Sequence, residues 1–220
     1  MRLLGPKFPL LAEEQSELFT QSSFEAFGER VVERDGVSYR HFDAKRSKLA
    51  ALIRKGASQI GIRPGDTVLY LGAAHGYTPS FVSDIVGNRG VVFCVDFSPR
   101  VVRDLLALSM RRENMIPILA DAKKPDEWSF RVTGADVVFQ DVAQKEQVAI
   151  FLRNCDRFLK SGGFGLLSLK ARSIDMTRNP KDLFKEVYTA LEKSGEYKIV
   201  DYRELAPFER DHAFYVVKKA

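Results

Sequence analysis

Five short apolar runs, at residues 67–72, 91–96, 116–120, 136–141 and 164–170, alternate with helix-like stretches at about 79–86, 99–113, 144–160 and 180–194. Runs so short and so evenly apolar are buried on both faces, and a helix between each pair makes right-handed crossovers between parallel strands. The chain is therefore expected to build a doubly wound α/β sheet. Its tail breaks the rhythm: "YKIVDYREL" and "HAFYVVKK" have no helix between them, so the last strand must pair antiparallel.

Residues 1–43 read as a small β unit, with "ERVVERDGVSYRHFD" giving two β-rich runs around Asp35-Gly36, a dipeptide that supplies the positive φ angles of a tight hairpin. From Ala44 the pattern turns helical, Leu49, Leu52 and Ile53 sharing a face and Gly56 marking a stop. The expected organisation is thus a small N-terminal β domain over 1–43 and a larger α/β domain over 44–220. With 45% hydrophobic residues among 220, the chain can bury one sizeable core. No run of about 18 uncharged apolar residues occurs, and Pro6 and Pro9 break up the start, so a soluble intracellular protein with no membrane partner is expected. Cys94 and Cys155 lack metal-ligand spacing and read as buried thiols. The net charge of +5 leans toward a polyanionic partner.

A parallel sheet opens its ligand crevice at the carboxyl ends of its strands. "VLYLGAAHGYTPSF" places Gly72 and Gly76 in the turn after the first of them, where glycine permits close backbone approach. Thr78 before Pro79 resembles an N-cap followed by a first-turn proline. Asp96 ends the second strand, where a carboxylate can accept from a ribose diol; Asp121 and Asp141 follow the third and fourth. The glycines match neither G-x-G-x-x-G nor a P-loop. Three carboxylates on one edge disfavour a pyrophosphate and favour a ligand with a cationic centre, such as the sulfonium and ammonium of S-adenosylmethionine. A nicotinamide cofactor, or an ordinary turn with acids at strand ends, are the other readings.

Lys170 ends the fifth strand at the same edge as Asp141. It could simply snorkel to water, or serve as a base near a ribose hydroxyl, with Asp141 orienting it and a second lysine, Lys48, lowering its proton affinity. Lys48 could equally lie on a solvated helix face, and His212, in "PFERDHAFYVV", could be structural. His41 and His75 are too far apart in sequence from His212 to suggest a metal triad, and no metal is expected.

The blocks "VLYLGAAHGYT", "VSDIVG", "VVFCVDFSPR", "NMIPILADAKKP", "DVAQ", "LSLKARSID" and "PFERDHA" together resemble fibrillarin in its short archaeal form, over about 170 residues from "RSKLAALI" onward. The resemblance implies a Rossmann-like class I fold with a seven-stranded, mostly parallel sheet. It implies an S-adenosylmethionine-dependent 2′-O-methyltransferase acting on ribose in rRNA and tRNA. Cofactor positions would fall on Tyr77, Thr78, Asp96, Phe97, Asp121, Ala122, Asp141, Val142, Ala143 and Gln144, beside Gly72 and Gly76; the family's lysine-aspartate-lysine-histidine set would fall on Lys48, Asp141, Lys170 and His212. The implied partners are a box C/D guide RNA, a Nop-domain scaffold protein and a kink-turn-binding ribosomal-type protein, in an archaeal cytoplasm. His75 and Tyr77 stand where the family more often has small hydroxyl residues, and Asp96 replaces the usual Glu, departures that bear on cofactor affinity. A stand-alone small-molecule O-methyltransferase and an idle assembly subunit are the rival readings.

Overall fold

Asp35 and Gly36 adopt φ of 53° and 74°, closing the expected hairpin. In the computed structural model, which describes residues 1–220, that hairpin belongs to a larger unit. Strands β1 (Arg2–Leu3), β2 (Leu11–Glu14), β3 (Glu17–Gln21), β4 (Val31–Arg34) and β5 (Val37–His41) form one antiparallel sheet in the order β1-β2-β3-β5-β4. The first three were not expected. The turn joining β2 to β3 uses Gln15 and Ser16 at φ 50° and 67°, residue types that do not announce such a turn.

The rest of the chain runs α1 (Lys48–Arg54), β6 (Thr67–Leu71), α2 (Tyr77–Val86), β7 (Val91–Asp96), α3 (Pro99–Ser109), β8 (Met115–Leu119), β9 (Ala135–Gln140), α4 (Gln147–Phe158), β10 (Leu159–Lys170), α5 (Ala171–Ile174), α6 (Pro180–Lys193), β11 (Tyr197–Glu204) and β12 (His212–Lys219). The seven strands pair in the order β11-β12-β10-β9-β6-β7-β8. Pairs among β6 to β10 are parallel, and β12 lies antiparallel to both neighbours. β10 begins earlier than its apolar run suggests, with a register shift between Leu159 and Phe164 around Gly162. From β6 the chain winds outward to β7 and β8, then returns to β9 and β10 on the other side. That reversal between β6 and β9 is where such a sheet opens a crevice.

Each face of the sheet is covered. One core gathers Leu49, Phe81, Leu105 and their neighbours from α1, α2 and α3; the other gathers Phe151, Leu183 and Leu191 from α4 and α6. Leu11, Leu18 and Phe42 from the N-terminal part join the first core, and Phe42 stacks on Phe81 with centroids 4.1 Å apart. Arg40 of β5 is fully buried in this seam. It donates to Glu29 (2.6 Å), Ser80 (2.9 Å) and Asp84 (3.2 Å), and its guanidinium lies 3.7 Å from the Phe81 centroid. Cys94 and Cys155 are buried and free, burial pushing both thiols well above their ordinary pKa. No helix is long and apolar enough to cross a membrane.

Candidate functional site

The parallel strands end around a cleft of about 300 Å³. Gly72, Asp96, Phe97, Asp121, Ala122, Asp141, Val142, Ala143 and Gln144, all singled out in the sequence, line it together. Ala74, Val95 and Ala120 line it as well, small strand-end residues with no chemical signature of their own. All three carboxylates therefore share one cavity.

Gly72 has φ +80°, and a Cβ there would sit 2.5 Å from the Asp141 carbonyl oxygen and 2.9 Å from Val142 Cγ1. Only glycine lets these two strand ends close up. The Asp96 carboxylate accepts from the amides of Ala74 (3.1 Å) and Ser98 (3.0 Å), one on each oxygen, which holds it still and leaves a lone pair on each for a diol. Gln144 Oε1 is buried without a partner. Phe97, 67% exposed, offers an aromatic face at the mouth. A buried acceptor without a donor, a glycine cradle and three carboxylates suit an adenosyl cofactor with a positively charged sulfur.

Three expected positions stand apart from the cleft. Gly76 (φ 89°) is under α3, where a Cβ would meet Leu108 at 2.5 Å and Leu105 at 2.8 Å, so its small size serves helix packing. Thr78 is not the N-cap: α2 starts at Tyr77 after Gly76, and the Thr78 hydroxyl donates to Ser47 Oγ at 3.0 Å, tying α2 to the capping residue of α1. The Tyr77 ring turns toward the N-terminal sheet, edge-on to Phe27 (5.5 Å) and beneath Arg46 (4.1 Å). The Tyr77 and Thr78 main chain, in the first turn of α2, has two amides without an acceptor. His75 is exposed and faces Asp104, 3.6 Å away.

Beside the cleft, Lys48 Nζ donates to Asp141 Oδ2 at 3.0 Å. The expected partnership is thereby corrected: Asp141 holds Lys48 rather than Lys170, because Lys48, the first residue of α1, reaches the residue that follows β9. Lys170 Nζ engages no carboxylate, and its side chain is exposed. His212 sits opposite Lys170 across the antiparallel pair of β10 and β12. Its Nδ1 lies 2.7 Å from the Arg210 carbonyl oxygen, so Nδ1–H donates there and Nε2 keeps its lone pair.

Burial lowers the His212 pKa below 6.5; Lys48 adds to this, while the Arg210 carbonyl, Glu209 and Asp141 oppose it. A group whose folded pKa is depressed contributes stability above its unfolded value and loses it as pH falls through the folded one. Relative to a His212→Gln variant, the wild-type chain should therefore lose stability as pH drops below about 6.5. Thermal unfolding of both at pH 7.5 and pH 5 checks this; a constant difference between them would contradict it.

The fibrillarin family model matches residues 10–220. The chain is 44% identical to the fibrillarin-like rRNA/tRNA 2′-O-methyltransferase of Thermococcus onnurineus, with 100% of each chain covered. Its fold matches Aeropyrum pernix fibrillarin in complex with natively bound S-adenosyl-L-methionine at TM-score 0.83 and 43% identity, covering 91% of this chain and 88% of that one. It matches a fibrillarin/Nop5p complex at TM-score 0.87 and 40% identity, covering 96% and 98%.

Proposed function

This chain belongs to the fibrillarin family, and from that premise we propose that it transfers a methyl group from S-adenosylmethionine to the ribose 2′-oxygen of rRNA and tRNA. The observation that carries the reading is the meeting of the acid-lined cleft with Lys48, Asp141, Lys170 and His212 at one sheet edge. Bound S-adenosylmethionine supplies an already activated methyl group, so the protein's task is chiefly placement of the nucleophile. Asp96 would hold the ribose diol, Phe97 would cover the adenine, and the first-turn amides of Tyr77 and Thr78 would lie beside the cofactor.

At the acceptor, Lys170 takes or steers the proton leaving the 2′-hydroxyl as the oxygen attacks. Lys48, fixed by Asp141, and His212, presenting Nε2, position the nucleotide. The proposal assigns target choice to a guide RNA, which suits a chain without an aromatic RNA-reading signature of the RNP kind. A box C/D guide RNA, a Nop-domain scaffold and a kink-turn-binding protein complete the proposed particle, and the relative solved with Nop5p supports the scaffold. The N-terminal unit over residues 1–43 is proposed as the support that carries α1, and with it Lys48, over the cleft.

Site-resolved resistance of ribose to alkaline cleavage, with guide and scaffold present and then withheld, tests the reading. Modification of one guided nucleotide only in the full mixture is expected; equal modification without the guide would assign target choice to this chain, and none in either mixture would refute the activity. Gly72→Ala should weaken S-adenosylmethionine binding on the order of tenfold or more, because the new Cβ forces the Asp141 carbonyl and Val142 apart or into the cleft. Calorimetric titration with the cofactor alone reads this directly.

A further inference from the structure

We infer that Gln147 is a positioning residue for Lys170, holding the lysine's main chain where a neighbouring strand has run out. This rests on the reading of Lys170 given above. β9 last pairs with β10 at Gln140 opposite Leu167, and β10 continues to Lys170. Beyond that point the chain after β9 has turned away to line the cleft, leaving the flank of β10 without a strand.

Gln147, the first residue of α4, fills that place. The Lys170 amide donates to Gln147 Oε1 at 2.9 Å, and Gln147 Nε2 donates back to the Lys170 carbonyl at 3.0 Å. One carboxamide thus reproduces both hydrogen bonds that a strand would have made. The clamp is itself anchored: Gln140 Nε2 donates to the Gln147 carbonyl at 2.6 Å, and Gln140 and Gln147 are both fully buried.

The consequence for side chains follows from strand geometry. With both main-chain groups of Lys170 directed at Gln147, the pair of Lys170 with His212 is one whose backbones do not hydrogen-bond, the closer of the two antiparallel spacings. The clamp therefore sets how Lys170 and His212 stand side by side. The next residue is secured from the other flank, the Ala171 amide donating to the Asp211 carbonyl at 3.0 Å. With Lys170 held by Gln147 and Ala171 by Asp211, the main chain is fixed on both flanks and the Lys170 side-chain nitrogen is left free for the reaction.

Two measurements on the full chain test this. Hydrogen exchange should show a slow Lys170 amide in wild type and an amide faster by roughly two orders of magnitude in Gln147→Leu; an unchanged rate would overturn the clamp. In guided methyl transfer, Gln147→Leu should lower kcat about a hundredfold while cofactor affinity, measured separately, stays within twofold. Retention of kcat, or an equal loss of cofactor affinity, would overturn the positioning role.

Gln147→Glu guards against a purely structural effect. Its carboxylate can accept from the Lys170 amide but opposes the Lys170 carbonyl, and only the protonated acid restores the second bond. A carboxyl buried this deeply protonates more readily than usual, so activity relative to wild type should rise as pH falls from 8 to 6. A ratio that does not change with pH would contradict the inference. Should wild type itself transfer no methyl group while the exchange result holds, the proposed activity fails and the clamp stands.

Discussion

Lys170→Ala should lower guided methyl transfer by about 10²–10⁴-fold while leaving S-adenosylmethionine affinity within twofold. The reason is geometric. Lys170 is at the end of β10 outside the cleft lining and donates its ammonium to no carboxylate, so its removal takes nothing from the cofactor's surroundings. What disappears is an unengaged amine at the edge where the proposed function brings the ribose. Lys170→Arg sharpens the test, because a guanidinium keeps the charge and cannot act as a base in the accessible pH range. An arginine variant within threefold of wild type would assign Lys170 an electrostatic role instead; equal loss of transfer and cofactor binding in the alanine variant would remove it from the reaction altogether.

Arg40→Leu should destabilise the chain by about 3–5 kcal/mol. Arg40 is enclosed with Glu29 and Asp84, whose side chains are 1% and 0% exposed, so losing the guanidinium strands carboxylates away from water. Arg112 still reaches Asp84 at 2.6 Å and spares one of them; Glu29 has no second cation. Urea unfolding measures the loss, and adding Glu29→Gln to Arg40→Leu should recover part of it. A change under about 1 kcal/mol would mean that water enters the seam and screens these charges. Arg40 joins β5 to α2 beside a shared apolar core, so packing runs across the proposed boundary at residue 43.

Much of the scaffold could be read from residue pattern alone. The strands at 91–96 and 67–71 lie where their apolar runs place them, and the helixless tail gave the reversed final strand. Asp96, Asp121 and Asp141 reach one cavity because parallel strands of a single sheet end on one side. The failures share a cause. Gly76 looks like a ligand glycine until α3 is laid across it, and Thr78 looks like a cap until Ser47, 31 residues earlier, claims its hydroxyl. The Lys48 to Asp141 bond spans 93 residues, and Gln147 meets Lys170 across 23, distances over which local pattern carries no information about partners.

The reversed last strand sets an order in time. β12 lies between β10 and β11, so β11 has no place in the sheet until the eight residues of β12 arrive. A ribosome delivers them after every other strand of that sheet. Until then the nascent chain has an open edge on β10 and no His212 opposite Lys170, although the acids of the cleft are already made. A chain cut short before His212 would keep every residue that lines the cleft but lack the strand beside Lys170.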